Sequence, residues 1–185
     1  MKKILHFSFL ASGTVLLLCV GSGTRAQQAP QAPNMSFFVT SAPLGKGGDL
    51  GGLAGADAHC QQLAATAGAG GKTWRAYLSS PEAPATKGIN ARDRIGNGPW
   101  QNAKGAVIAQ NVDDLHSPNN KLSRETALTE RGTVVSGVGY TPVWHDALTG
   151  SDRDGRAFPG NINMTCNNWS SSDARPYRLD RSRRQ

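Results

Sequence analysis

The chain has 185 residues, with 20 Lys+Arg against 13 Asp+Glu and a formal net charge of +7. This length suits one domain and excludes two substantial ones, and 38% apolar residues exclude a wholly disordered chain. A basic balance points to nucleic acid only when the charge lies on the folded body.

Lys2 and Lys3, an apolar stretch from Ile4 to Val20, and small residues at Thr24 and Ala26 have the three-part layout of a secretory leader cleaved after residue 26. A membrane anchor fits less well, because the uninterrupted apolar run is short for a bilayer. A lipid anchor on Cys19 fits less well still, since Leu18 stands where a small residue is wanted. Secretion or export to a periplasm is therefore expected, with no stable membrane span after cleavage. Residues 27–36 form a Pro/Ala/Gln-rich spacer without hydrophobic periodicity.

The charge moves with these boundaries. Lys2, Lys3 and Arg25 leave with the leader, and residues 170–185 hold five arginines against two aspartates. The body, residues 27–169, carries 12 basic and 11 acidic residues. It has no basic excess with which to hold a nucleic acid, and none is expected as a partner.

Ser36–Ser41 has the β-branched and aromatic content of a strand, ended by Pro43 and the glycines that follow. Leu53–Ala67 is the best helix: Cys60, Leu63, Ala64 and Ala67 make an apolar stripe, Gln61 and Gln62 fall off it, and Gly68 stands ready as a C′ residue. Thr73–Ser79 alternates, with Trp74, Ala76 and Leu78 on one face, and predicts a half-buried strand against that helix. Pro81–Gly88 is turn-rich, Ala91–Ile95 a short helical turn, Asn97-Gly98-Pro99 a breaker and Ala106–Ala109 a short strand. Asn111–Leu115 reads as a turn with Asp113 and Asp114 in reach of backbone N–H groups. Gly132–Gly137, Thr141–His145 and Met164–Trp169 are further strand candidates. One early helix, short strands and long loops predict a small α+β domain over residues 37–169. No dinucleotide, phosphate-loop, zinc-protease, C-x-x-C or nucleophile-elbow motif is placed where its mechanics would work.

Three segments in order carry a resemblance. Gly51-Gly52-Leu53-Ala54-Gly55-Ala56-Asp57-Ala58-His59-Cys60 followed by Thr73–Ser80 resembles the helix-then-strand signature of endostatin-like domains and of secreted bacterial domains in the C-type-lectin-like superfamily. Gly105–Leu115 is similar to the central segment of those bacterial domains. Val143-Trp144-His145, Gly150–Arg156 and Cys166-Asn167-Asn168-Trp169 complete the order. The resemblance implies a C-type-lectin-like, loop-rich domain that binds glycans or extracellular and envelope proteins and performs no covalent chemistry. A structural envelope protein, or a truncated paralogue without a ligand, is the alternative.

The chain departs from that family in three ways. The sugar-binding calcium motifs are absent, and no histidine cluster stands near the expected mature N-terminus. In the family the helix cysteine and the Cys-x-x-Trp cysteine each pair with a later cysteine. Here nothing after Trp169 offers a cysteine or a strand-like run, so the last family strands are expected to be missing, through truncation or a divergent tail. Residues 170–185 read as an Arg-rich solvated tail.

The remaining candidates are few. Cys60 and Cys166, the two cysteines beyond the leader, are left either bonded to each other or as two free thiols. Asp152 and Asp154, with Asp146 upstream, resemble the start of a calcium loop, but no bidentate Glu follows and an Asp-Gly turn explains them. His59, His116 and His145 have no metal-ligand spacing, and no metal or cofactor is expected. Asn119, Asn120, Asn167 and Asn168 are eligible to bond sugar hydroxyls, and Trp144 and Trp169 to stack on a sugar ring, although core packing is the plainer role for the tryptophans.

Overall fold

The computed structural model describes residues 33–44, 46–82, 87–143, 147–159 and 164–172. Its elements are α1 (Gly52–Thr66), α2 (Ala91–Arg94), β1 (Trp100–Gln101), β2 (Val107–Ala109), α3 (Val112–Leu115) and a helical turn at Cys166–Trp169. The described residues form a mixed helix-and-sheet arrangement of α+β type, poor in regular structure, whose sheet among those residues is one antiparallel pair, β1–β2. Among the described residues no helix is long and apolar enough to cross a membrane.

The alanine-rich sequence of α1 favours helix, since alanine loses no side-chain entropy there. The helix stops where expected. Gly68 takes φ +82°, its N–H reaches Ala65 O, and the Ala69 N–H reaches back to Ala64 O at 2.8 Å. That pair of bonds is a Schellman ending, which requires a residue able to sit left-handed at C′.

Two apolar clusters meet on α1. Met35, Ala64, Trp74 and Ala103 form one, and Ala56, Ala76, Leu78 and Trp169 the other, with Cys60 packed against both. A third, Trp100, Ile108 and Ala109, closes over Phe37, Ile95, Val112 and Leu115. Met35 is 1% exposed and Ser36 bonds to Pro99 and Gln101, so the packed body takes in two residues that composition placed in the spacer.

Residues 73–79 alternate as predicted, with Trp74, Ala76 and Leu78 buried, but they join no ladder. Helix side chains take the place of a neighbouring strand. Gln61 Oε1 accepts the Trp74 N–H at 3.0 Å and Asp57 Oδ1 accepts the Ala76 N–H at 2.8 Å. Residues four apart on a helix and two apart on an extended chain advance by similar distances, so the two registers match. Gln61, which the apolar stripe left out, is therefore half-buried and bonded. On the other edge, the backbone groups of Arg75 and Tyr77 bond to nothing among the described residues.

Other strand expectations shrink to single bridges. Ser36–Ser41 contributes only Val39, bridged to Thr129, and Gly132–Gly137 only Val134, bridged to Leu128. Glu130, fully buried, fixes this region by accepting the N–H of Ser41 at 3.1 Å, with Arg131 Nε 3.4 Å away. Asn111–Leu115 winds into α3, capped by Asn111 Oδ1 on the Asp114 N–H at 2.9 Å. In Thr141–His145 the described residues form no strand, and Trp144 and His145 lie outside the described residues.

Met164–Trp169 is not a strand. Cys166, Asn167, Asn168 and Trp169 have φ of 48°, 56°, 55° and 65°, one turn of left-handed helix. Each L-residue there costs about 1–2 kcal/mol, and the compensation is visible. Trp169 is 1% exposed, its indole N–H donates to Ser79 O at 2.8 Å, its carbonyl accepts from Leu50 N–H at 2.9 Å, and Thr165 Oγ1 accepts from Asn168 N–H. Burying one tryptophan is worth about 3–5 kcal/mol by truncation, which offsets most of the backbone cost.

Candidate functional site

The loop after α2 turns at Gly96–Pro99 and delivers Trp100 to the third cluster, while the end of α1 turns at Gly68 and delivers Lys72, Thr73 and Trp74. Between them lies a cleft of about 230 Å³, lined by Ser36, Lys72, Thr73, Trp74, Ile95, Asn97, Gly98, Pro99 and Trp100. Trp74 and Trp100 are 8% and 7% exposed, so little of either ring reaches it. Trp74 is locked: its indole N–H donates to Ala69 O at 2.9 Å, and Phe38 packs on its ring at 4.7 Å between centroids.

The polar groups around the cleft divide into two sets. Ser36 is occupied, donating to Pro99 O and accepting from Gln101 N–H, both at 3.0 Å. By contrast, the Asn97 carboxamide, the Thr73 hydroxyl and the Trp100 indole N–H bond to nothing among the described residues. Lys72 Nζ donates to Met35 O at 2.8 Å and forms no ion pair among the described residues. No carboxylate lines the cleft.

A second cluster gathers around the hairpin tip 152–156. Asp152 Oδ1 accepts the N–H groups of Asp154 and Arg156, each at 2.9 Å, and Ser151 bridges Ala157. This carboxylate therefore shapes its own turn. Asp154 contributes its carbonyl, bonded by Arg92 Nη1 at 3.0 Å. Asp146 lies outside the described residues. Among the described residues no group of three His, Cys, Asp or Glu side chains is arranged to hold a metal.

Tyr77 and His116 meet beneath this tip, 2.7 Å apart. His116 Nδ1 faces Val112 O at 2.6 Å; a carbonyl can only accept, so Nδ1 carries the proton, and in the neutral ring Nε2 accepts the Tyr77 O–H. Burial raises the Tyr77 pKa, with Asp152 adding to the shift and Arg92 opposing it. The phenol thus stays a donor at neutral pH.

His59 bonds to Ala42 O at 2.8 Å and makes no contact with His116 among the described residues, while His145 lies outside them. Cys60 and Cys166 are both free and half-buried. Burial first, and Asp57 second, push the Cys60 thiol up to about 11, against a smaller opposing pull from Arg94. Asn120 spends its carboxamide on Leu115 O, Ser117 O and the Leu122 N–H. Asn167 and Asn168 lie in the left-handed turn, and Trp169 is core. Asn119, Asn120, Asn167, Asn168 and Trp169 do not line the cleft, and Trp144 lies outside the described residues. The residues that do were legible only as a helix-to-strand turn and a Gly-Pro breaker.

No family model matches the chain, and no curated protein or solved structure matches it.

Proposed function

We propose that the protein is a secreted, non-enzymatic binding module of C-type-lectin-like kind, and that it holds a glycan in the cleft between Thr73 and Trp100. The supporting observation is the meeting of two indoles with the unpartnered groups of Asn97, Thr73 and Trp100. Ligand sites combine apolar walls with a few convergent polar groups. A sugar ring matches that mixture, since its C–H groups pack on the small apolar margin the two indoles leave open while its hydroxyls give and accept hydrogen bonds. The Asn97 carboxamide can do both at once. The sequence resemblance supports the same class, a domain that binds through loops.

The test is a glycan array followed by calorimetric titration of the best binder, with calcium and with chelator, on the wild type and on Asn97→Ala. Binding that falls about tenfold in the variant, the effect of losing one or two good hydrogen bonds, supports the reading. A flat array from a protein with a cooperative thermal transition overturns it.

A further inference from the structure

We infer that the cleft selects a sugar residue bearing an anionic group, such as a hexuronic acid, and that Lys72 reads the charge. This rests on the cleft being the glycan site. Lys72 is the one charged side chain among the residues lining it. Its ammonium has no carboxylate partner among the described residues.

The side chain is also held in place. Nζ donates to the carbonyl of Met35 at 2.8 Å, and Met35 is fixed in the core at 1% exposure. A lysine normally loses much rotamer freedom when it binds an anion. Here one of three N–H groups is spent on the tether and two are left for a ligand. The neighbouring groups complete a mixed set: Asn97 and Thr73 suit hydroxyls, and the indoles' open margin suits the ring. A neutral sugar leaves the ammonium unmatched, while a carboxylate on the ring gives it a charge-assisted bond.

The test uses a trimer of galacturonic acid, the same trimer with its carboxyls methyl-esterified, and inorganic sulfate, each titrated calorimetrically at low salt. The acid trimer is expected to bind about tenfold tighter than the ester, one charge-assisted bond's worth, with the gap closing as salt is added. Lys72→Gln should erase the preference while circular dichroism stays unchanged, and Lys72→Arg should restore it. Equal affinity for acid and ester, or a preference that survives Lys72→Gln, overturns the inference and leaves the glycan cleft standing if Asn97→Ala still weakens both. Sulfate alone binding as tightly as the acid trimer also overturns it, because the site then takes a free anion. If neither trimer binds, the inference falls, and the array with Asn97→Ala decides the cleft separately.

Discussion

Asp57 and Arg94 close around a single residue, Ala76. Their side chains form an ion pair of 2.7 Å, Asp57 accepts the Ala76 N–H at 2.8 Å, and Arg94 Nη1 donates to the Ala76 carbonyl at 2.8 Å. One acid on α1 and one base on α2 thus hold an extended segment that has no ladder partner. The pair is mostly buried, with side chains 21% and 11% exposed.

Asp57→Ala should therefore cost about 2–4 kcal/mol, because it strands a buried guanidinium and an amide N–H together. Asp57→Asn keeps an acceptor for Ala76 and should cost less than Asp57→Ala. Urea denaturation followed by tryptophan fluorescence measures both, and equal losses would mean that the backbone bond contributes nothing.

Gly155 sits against the Tyr77–His116 pair with φ +73°. A Cβ there would lie 2.3 Å from His116 Nε2, 2.6 Å from the Tyr77 hydroxyl and 3.0 Å from Arg92 Cβ. Both tips are pinned by hydrogen bonds, so neither swings away freely. Gly155→Ala is expected to lose about 2–4 kcal/mol, from left-handed strain together with overpacking. A thermal midpoint within a degree of wild type would refute this.

The left-handed turn gives a paired prediction at Asn167, φ 56°. Asn167→Gly should leave stability within about 1 kcal/mol, since glycine accepts this conformation and loses only side-chain bonds. Asn167→Val should cost about 2 kcal/mol or more, because a β-branched residue is a steric outlier at positive φ. Chemical denaturation of the two variants side by side reads the difference, and equal stability would contradict the backbone assignment.

Cys60 links stability to alkaline pH. Its pKa is raised from 9.0 to about 11, so the unfolded chain releases this proton first. The resulting stability is complete below pH 9.0 and is lost as pH rises toward about 11, a decline of about 2–3 kcal/mol. Comparing urea midpoints of wild type and Cys60→Ala at pH 8 and pH 11 isolates it from other titrating groups. Wild type should lose more than the variant, and parallel losses would overturn the assignment. Alkylation of Cys60 should also be slow at neutral pH, since the thiolate is the reactive form.

The helix was readable because its signals are local. Alanine content, the stripe through Cys60 and Ala64, and Gly68 all act within a few residues. The alternation of Trp74, Ala76 and Leu78 was readable for the same reason, as a period of two. Its bonding was not, because the partners are the side chains of Asp57 and Gln61, which hydrophobic periodicity discards as surface. Cys166–Trp169 misled for a related reason: the turn exists because Trp169 has Ser79 and Leu50 to hold it, and both are remote in sequence. The cleft was hidden by the same distance, since Lys72 and Asn97 meet only through the packing of Trp74 and Trp100.

Met35 and Ser36 touch both walls of that cleft, Met35 through Lys72 and Ser36 through Pro99. They are also where the preceding chain joins the packed body. Tension applied through the residues before them arrives together at Lys72, at the Gly98–Pro99 turn and at the cluster Met35 shares with Ala64 and Trp74. In the proposed glycan-binding role, a load between the chain before Met35 and a ligand in the cleft runs a short path across the cleft, without shearing α1 from Trp169.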